Sequence, residues 1–591
     1  MKSLVLSNGT CSLELSDDGR VKGFRNGAQV LSVTPAAICE LRWGTPERVT
    51  SVASARLRQQ TTSRAHFEAA VDLGSPVTLK FTYAIEAPDQ YGTAVTCRVA
   101  LHSDVILSTD VLLRWYWNIR LPAMEAALFV PLFDGRGLRT SRAQHRAWHY
   151  LCAGDPGGDS DGRLALPAVD EETSHLRMTY FADPFFSTGI SLPADNTPDH
   201  FQCRFLMEAG RRQFEERTFG CYLHGGDEDT GILGFFRYAI PDTPPGPAWL
   251  QRIAMVHYDY LSEKGEGWFC DIDRLGELVP RGDRDRIALT LHGWYDLLGR
   301  YCYDGNTRKL DARWIAMPKG DNLDMSLQEI HRRIAYARDR GYRVLLYYAD
   351  GLAIDAGAPN YSEGLIFRER DGTLRKHHWA GPDTIAQTYI MDPLHPHVRE
   401  FFLGYTDALL AEFGTEIDGL NWDETFTTRV GDISRGENAG YADRAFMLLC
   451  RDVRQQVKTW NRDCALLASD CTGLQLPQED GTYWRALPAQ NALVFDGTYQ
   501  DSQCHPAAWQ YGLFPNYRNV LWSCNWQPVK NFEWTALGVQ AFGAPAAISN
   551  GWGENKGISR YSDPETERIM ELFQVKRTRR DRVRWIECRQ G

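Results

Sequence analysis

At 591 residues the chain is long enough to form more than one domain, each burying a sizeable core. With 43% hydrophobic and 24% charged residues and no long low-complexity tract, its composition is that of an ordinary globular protein. A net charge of −11 argues against nucleic acid or an anionic membrane as the main partner, and no apolar run is long enough to span a bilayer.

The opening Met1-Lys-Ser-Leu-Val-Leu gives way at once to Ser-Asn-Gly-Thr, too short an apolar region for a secretory signal. The 14 cysteines include no CxxC pair, so they read as reduced thiols and not as a zinc ribbon or a dithiol redox site. Together these features lead to the expectation of a cytoplasmic protein. The 18 Trp and 25 Tyr suit either aromatic core packing or stacking on sugar rings.

From the start to residue 271 the signal is β. Val77-Thr-Leu-Lys-Phe-Thr-Tyr and Ala94-Val-Thr-Cys-Arg-Val-Ala-Leu are alternating, β-branched runs, and Asp17-Asp-Gly and Arg25-Asn-Gly read as hairpin turns. Short strands without amphipathic helices between them predict a large β-sandwich over 1–271. Residues 272–286, ending in Arg-Gly-Asp-Arg-Asp-Arg, read as a polar linker.

Beyond it, apolar runs alternate with helices: 287–291, 343–349, 388–391, 417–422, 465–468, 492–495, 519–522 and 544–549. That number and rhythm predict a (β/α)8 barrel over 287–591. Ser326-Leu-Gln-Glu329 is a capping box, Pro396 opens a helix that Gly414 ends, and Asp563-Pro564 starts the last one.

In such a barrel the residues just past each strand converge on one opening. Those positions hold His292, Trp294, Tyr295 and Asp296, then Asp350, Asp392, Asp423 with Glu424, Asp470, Asp496 with Asp501, Trp522 with Asn525 and Trp526, and Asn550, Trp552 and Glu554. Each acid alone reads as a helix cap or an arginine partner. A ring of them with aromatics alongside suits a polyhydroxylated ligand, because carboxylates accept hydroxyl protons while aromatic faces stack on the sugar ring.

The run Asp418-Gly-Leu-Asn-Trp-Asp423 resembles the nucleophile strand of the retaining α-glucosidase and α-galactosidase superfamily, and Met391-Asp-Pro-Leu-His-Pro-His-Val-Arg399 is similar to the segment that precedes it there. The Trp stands directly beside the second Asp, where the superfamily pattern places it two before, so the exact family stays open. The resemblance implies a β-sandwich leading into a barrel, a covalent glycosyl intermediate on Asp423, and a proton donor after the sixth strand. Asp496 is first choice for that donor, Asp470 the alternative and Asp501 a third. Asp296, Asp350, Asp392, Trp294, Trp422, Glu424, Trp526, Asn550 and Trp552 are the candidate sugar-binding residues.

No cofactor or metal is called for: His395-Pro-His397 lies at a helix start, and no HExxH occurs. The expected activity is hydrolysis of α-glycosidic bonds with retention, on an oligosaccharide or glycoside. A transglycosidase differs only in what resolves the intermediate. A carbohydrate-binding or scaffold protein with a non-catalytic barrel is the rival from a different class.

Overall fold

The computed structural model describes residues 3–226 with breaks at 27–28, 34–36, 87–91, 110, 118, 121–126, 132–135, 142–147, 152–167, 173–176, 183–187, 193–200 and 208–216, and residues 246–589 with breaks at 317–321, 369–371, 378–386, 424, 426–438, 470–475, 478–482, 485–494, 502–520, 525–531, 543–544, 550–555 and 579–585. The chain divides into two compact units, one of residues 1–243 with 586–591 and the other of residues 244–585. The sequence placed the boundary at 271 and a linker over 272–286. Both fall inside the second unit, because Gly267–Leu278 is a helix that buries Trp268, Phe269, Ile272 and Leu275.

Unit one is β throughout its described residues, in sheets of five, ten and six strands. Alternation sets its core: along Arg64–Asp72 and Pro76–Ile85, every second residue is buried for most of the length. Phe81 and Phe219 of the ten-stranded sheet meet Trp115 of the six-stranded sheet at 5.1 and 5.2 Å between ring centroids, so these two sheets pack face to face. The Asp17-Asp-Gly turn joins Cys11–Ser16 to Val21–Asn26, with Gly19 at φ 87°, a conformation open to glycine at little cost. Ile586–Arg589 returns as an edge strand, parallel to Arg136–Ser141.

Unit two is built on one eight-stranded parallel sheet. Its strands in chain order are β1 (Met255–Asp259), β2 (Ile287–Leu291), β3 (Arg343–Asp350), β4 (Gly419–Asp423), β5 (Ala465–Ser469), β6 (Gly497–Asp501), β7 (Leu521–Cys524) and β8 (Ala546–Ser549). The hydrogen-bonded order is β7-β6-β5-β4-β3-β2-β1-β8, and β7 and β8 lie in contact. Helices α1 (Gly267–Leu278), α2 (Leu327–Arg338), α3 (Pro396–Phe413), α4 (Ala439–Trp460), α5 (Phe532–Phe542) and α6 (Asp563–Thr578) fall between and after the strands. The Ser326 hydroxyl accepts from the Glu329 amide at 3.1 Å to start α2, and Pro396 occupies the first turn of α3. Among the described residues no helix is long and apolar enough to cross a membrane.

Two strands differ in sheet assignment from the sequence reading, and the sixth, read there as 492–495, is Gly497–Asp501. Met255–Asp259, assigned there to the sandwich, is the first strand of the parallel sheet, pairing with β2 and β8. Thr388–Ile390, read as a barrel strand, instead pairs antiparallel with Ala353–Asp355 in a separate two-stranded sheet. One strand was missed and one added, so Gly419–Asp423 remains the fourth.

Candidate active site

All eight strands are parallel, so their C-terminal ends share one edge of the sheet. Asp259, Asp350 and Asp423 end β1, β3 and β4 there, each less than a tenth exposed. Asp350 and Asp423 are ladder partners, which places their backbones one strand spacing, about 4.8 Å, apart. A register shift between Tyr347 and Ala349 brings this about. Strict alternation would put Tyr347 and Asp350 on opposite faces, and the extra residue of a bulge turns Asp350 onto the face that carries Tyr347, Asn421 and Asp423.

That face is lined by aromatic residues. Val256, Tyr258, Ala288, Leu345, Ala465 and Leu467, drawn from four strands, share one buried cluster with Tyr260. Above this floor the Tyr258 hydroxyl donates to Asp423 Oδ2 at 3.1 Å, and His292 Nε2 stands 3.9 Å from the same oxygen. The His292 ring is held between Tyr260 and Tyr347, at 3.9 and 3.8 Å between centroids. Tyr295 stacks on Tyr347 at 5.1 Å. His377, fully buried, approaches Asp350 Oδ1 to 3.8 Å.

Burial holds the phenols of Tyr295 and Tyr347 well above the usual tyrosine range, and the charges of Asp350 and Asp423 push them the same way. Both rings therefore face the carboxylates as neutral hydrogen-bonding groups across the physiological range.

The structure removes several residues from the sequence-based site. Asp496, the first choice for proton donor, precedes β6, which begins at Gly497, so it lies at the opposite, N-terminal edge of the sheet. Its carboxylate accepts from Arg454 Nη2 and Lys458 Nζ, both at 2.7 Å, and from the Leu466 amide at 2.8 Å, and its side chain is fully buried. An acid so paired has no access to a leaving group.

Trp422 points away from the carboxylates, as the pleat requires of the residue before Asp423. Its ring stacks on Phe402 at 5.3 Å and touches Tyr348 and Phe446, while its indole N–H donates to the Gly351 carbonyl. Trp294 is wall packing as well: it meets Trp314 and Phe413 edge-on and donates to the Tyr347 carbonyl at 2.9 Å. Neither tryptophan offers a stacking platform.

Asp392 follows the two-stranded sheet and shapes the turn into α3, accepting from the Leu394 amide at 2.9 Å; burial raises its carboxyl above the ordinary value. Asp296 pairs with Arg300, which reaches on to Asp355 at 2.8 Å. Asp418, the first acid of the family-like motif, ties the start of β4 to Arg343 at 2.7 Å. Glu424, Asp470, Trp526, Asn550 and Trp552 lie outside the described residues. Asp501 ends β6 with Cys524 of β7 as its ladder partner, on the same edge as Asp423.

Sequence reasoning missed Tyr258, Tyr260, Tyr347, His377 and Asn421. Val256-His-Tyr-Asp-Tyr260 carries the signal for the first two, an apolar strand closing in an acid flanked by tyrosines, hidden among the β-runs before it.

An eight-stranded parallel sheet, preceded in the chain by a β-rich unit, defines a class of fold that known structures share. No protein-family model and no curated protein sequence matches the chain. Solved structures do. The GH36 α-galactosidase AgaA from Geobacillus stearothermophilus superposes with a TM-score of 0.55 at 10% identity, over 97% of this chain and 86% of that one. An α-galactosidase from Lactobacillus brevis gives 0.55 at 8% identity, over 97% and 83%. The α-N-acetylgalactosaminidase NagBb from Bifidobacterium bifidum, in complex with GalNAc, gives 0.53 at 13% identity, over 98% and 93%. At these identities the likeness establishes the fold, GH36-like along nearly the whole chain.

Proposed function

We propose that the protein is a glycoside hydrolase that cleaves terminal α-galactoside or α-N-acetylgalactosaminide bonds with retention, within a β-sandwich followed by a closed (β/α)8 barrel. The observation that carries this reading is Asp423: a buried carboxylate at the tip of the fourth parallel strand, hydrogen-bonded by Tyr258 and paired in register with Asp350. The fold neighbours supply the substrate class, since AgaA has been crystallised with raffinose and stachyose and NagBb with GalNAc.

In this reading Asp423 attacks the anomeric carbon while a second acid protonates the departing oxygen, forming a glycosyl ester. The second acid, now a base, then activates the water that releases the sugar. With Asp496 engaged in ion pairs, Asp501 takes the donor role, because it ends the strand after which the superfamily places its donor. Asp470 and Asp350 serve as hydroxyl acceptors.

Turnover is tested on a panel of aryl α- and β-glycosides. Asp423→Ala is expected to abolish it, and azide to restore it with a β-glycosyl azide as product. Asp501→Ala with azide is expected to give the α-glycosyl azide instead. A protein that binds these sugars but turns none of them over is a lectin-like barrel and refutes the proposal.

A further inference from the structure

The hydrogen bond from Tyr258 to Asp423 falls on one defined oxygen. Tyr258 donates to Oδ2, and His292 Nε2 lies on the side of that same atom. Tyr258 is itself fixed: β1 pairs it with Thr290 on one side and Ser549 on the other, and its ring lies 5.1 Å from that of His292. His292 is in turn anchored by its amide, which donates to the Asp259 carbonyl at 2.7 Å. The orientation of the carboxylate is therefore built into β1 and β2, not left to the substrate.

We infer that Tyr258 is a positioning residue that commits Asp423 Oδ1 to attack and keeps Oδ2 as the carbonyl oxygen of the glycosyl ester, and that it acts mainly on the second half of the reaction. This rests on Asp423 being the nucleophile.

In the first step the Oδ1–C1 bond forms as the C1–aglycone bond breaks, and the aglycone oxygen takes the proton of the acid. Asp423 loses charge, so its bond from Tyr258 weakens from charge-assisted to neutral. In the second step water bonds to C1 and gives its proton to the base. The Oδ1–C1 bond breaks, and its electron pair returns to the carboxylate. The Tyr258 bond then strengthens as the leaving group becomes an anion. A donor on Oδ2 thus opposes glycosylation slightly and assists deglycosylation, by about tenfold for the difference between a neutral and a charge-assisted hydrogen bond.

Tyr258→Phe keeps the ring in its cluster and removes only the hydroxyl. With an activated dinitrophenyl α-galactoside, kcat is expected to fall about tenfold while kcat/KM stays within about twofold, so KM falls with kcat. A pre-steady-state burst and a glycosyl adduct on the peptide containing Asp423 are expected by mass spectrometry. The acidic limb of kcat/KM moves to higher pH, because the donor favours the ionised carboxylate. Parallel loss of kcat and kcat/KM, or no change in either, overturns the inference. Failure of the parent reading looks different: Asp423→Ala keeps its turnover, and no adduct forms on that peptide in either protein.

Discussion

Replacing Asp496 by Ala separates a structural acid from a catalytic one. The substitution removes a carboxylate that accepts from Arg454 Nη2 and Lys458 Nζ at 2.7 Å each and from the Leu466 amide at 2.8 Å. Arg454 and Lys458 are less than a tenth exposed at their side chains, so two cations and an amide lose the carboxylate where water does not replace it. Breaking a buried ion pair from one side costs about 3–5 kcal/mol. That is a large share of a typical domain's stability of roughly 5–15 kcal/mol, yet leaves a folded protein at 25 °C.

The loss also carries a pH signature. Burial already holds the Lys458 ammonium below its ordinary value of 10.5, and Asp496 works against that shift. Without Asp496 the folded value drops further, so the unfolded chain binds the extra proton and stability rises with pH. The deficit is thus greatest near neutrality and narrows toward pH 10. Urea unfolding followed by tryptophan fluorescence at pH 7 and pH 9.5 measures both effects, alongside kcat/KM of the folded variant. A deficit under about 1 kcal/mol, or full stability with activity gone, refutes the structural assignment and returns Asp496 to the chemistry.

Trp422→Ala is expected to cost about 3–5 kcal/mol in the same unfolding assay, as a large core deletion, while Trp422→Phe leaves KM within about twofold; a rise in KM without lost stability contradicts its placement behind the sheet. The buried His257–Asp271 pair, at 2.8 Å, supplies a second pH test. Burial works against the charged imidazole, but the Asp271 bond outweighs it and raises the His257 pKa; for Asp271, bonds from His257 and Ser559 outweigh burial and lower it. The pair's contribution is complete below the unfolded histidine value near 6.5 and fades as pH climbs through the raised one. At the acid end it is lost as pH falls from about 3.8 through the lowered Asp271 value. Melting temperatures from pH 5 to 9 are expected to decline on the alkaline side in the parent protein, with that slope absent in His257→Phe.

Much of the fold was open to sequence reasoning because burial leaves a period behind it. The alternating runs at 64–72 and 76–85 became strands, the capping box at Ser326 became a helix start, and the change from β-runs to alternating strands and helices marked the second unit. The boundary was misplaced by the one strand whose sequence resembles its predecessors. Met255–Asp259 is buried at every position, and a fully buried run carries no alternation to tell a parallel strand from a sandwich strand.

The same limit accounts for Asp496. The rule that acids at strand ends do the chemistry depends on which end is meant, and an apolar run shows where a strand lies more readily than where it stops. Reading 492–495 as the strand put Asp496 at its tip, whereas the described strand begins at Gly497 and its tip is Asp501. The tips of the described β4 and β6 are then Asp423 and Asp501, on strands separated only by β5. Asp350 joins them for a reason no pattern in the sequence exposes: one extra residue in β3, between Tyr347 and Ala349, turns it from the helix layer to the face of Asp423. Were β3 to run past Tyr347 in regular register with all its residues kept, Ala349 would stand opposite Asp423 and Asp350 would fall off that face, and the site would lose an acid without losing a single acidic residue.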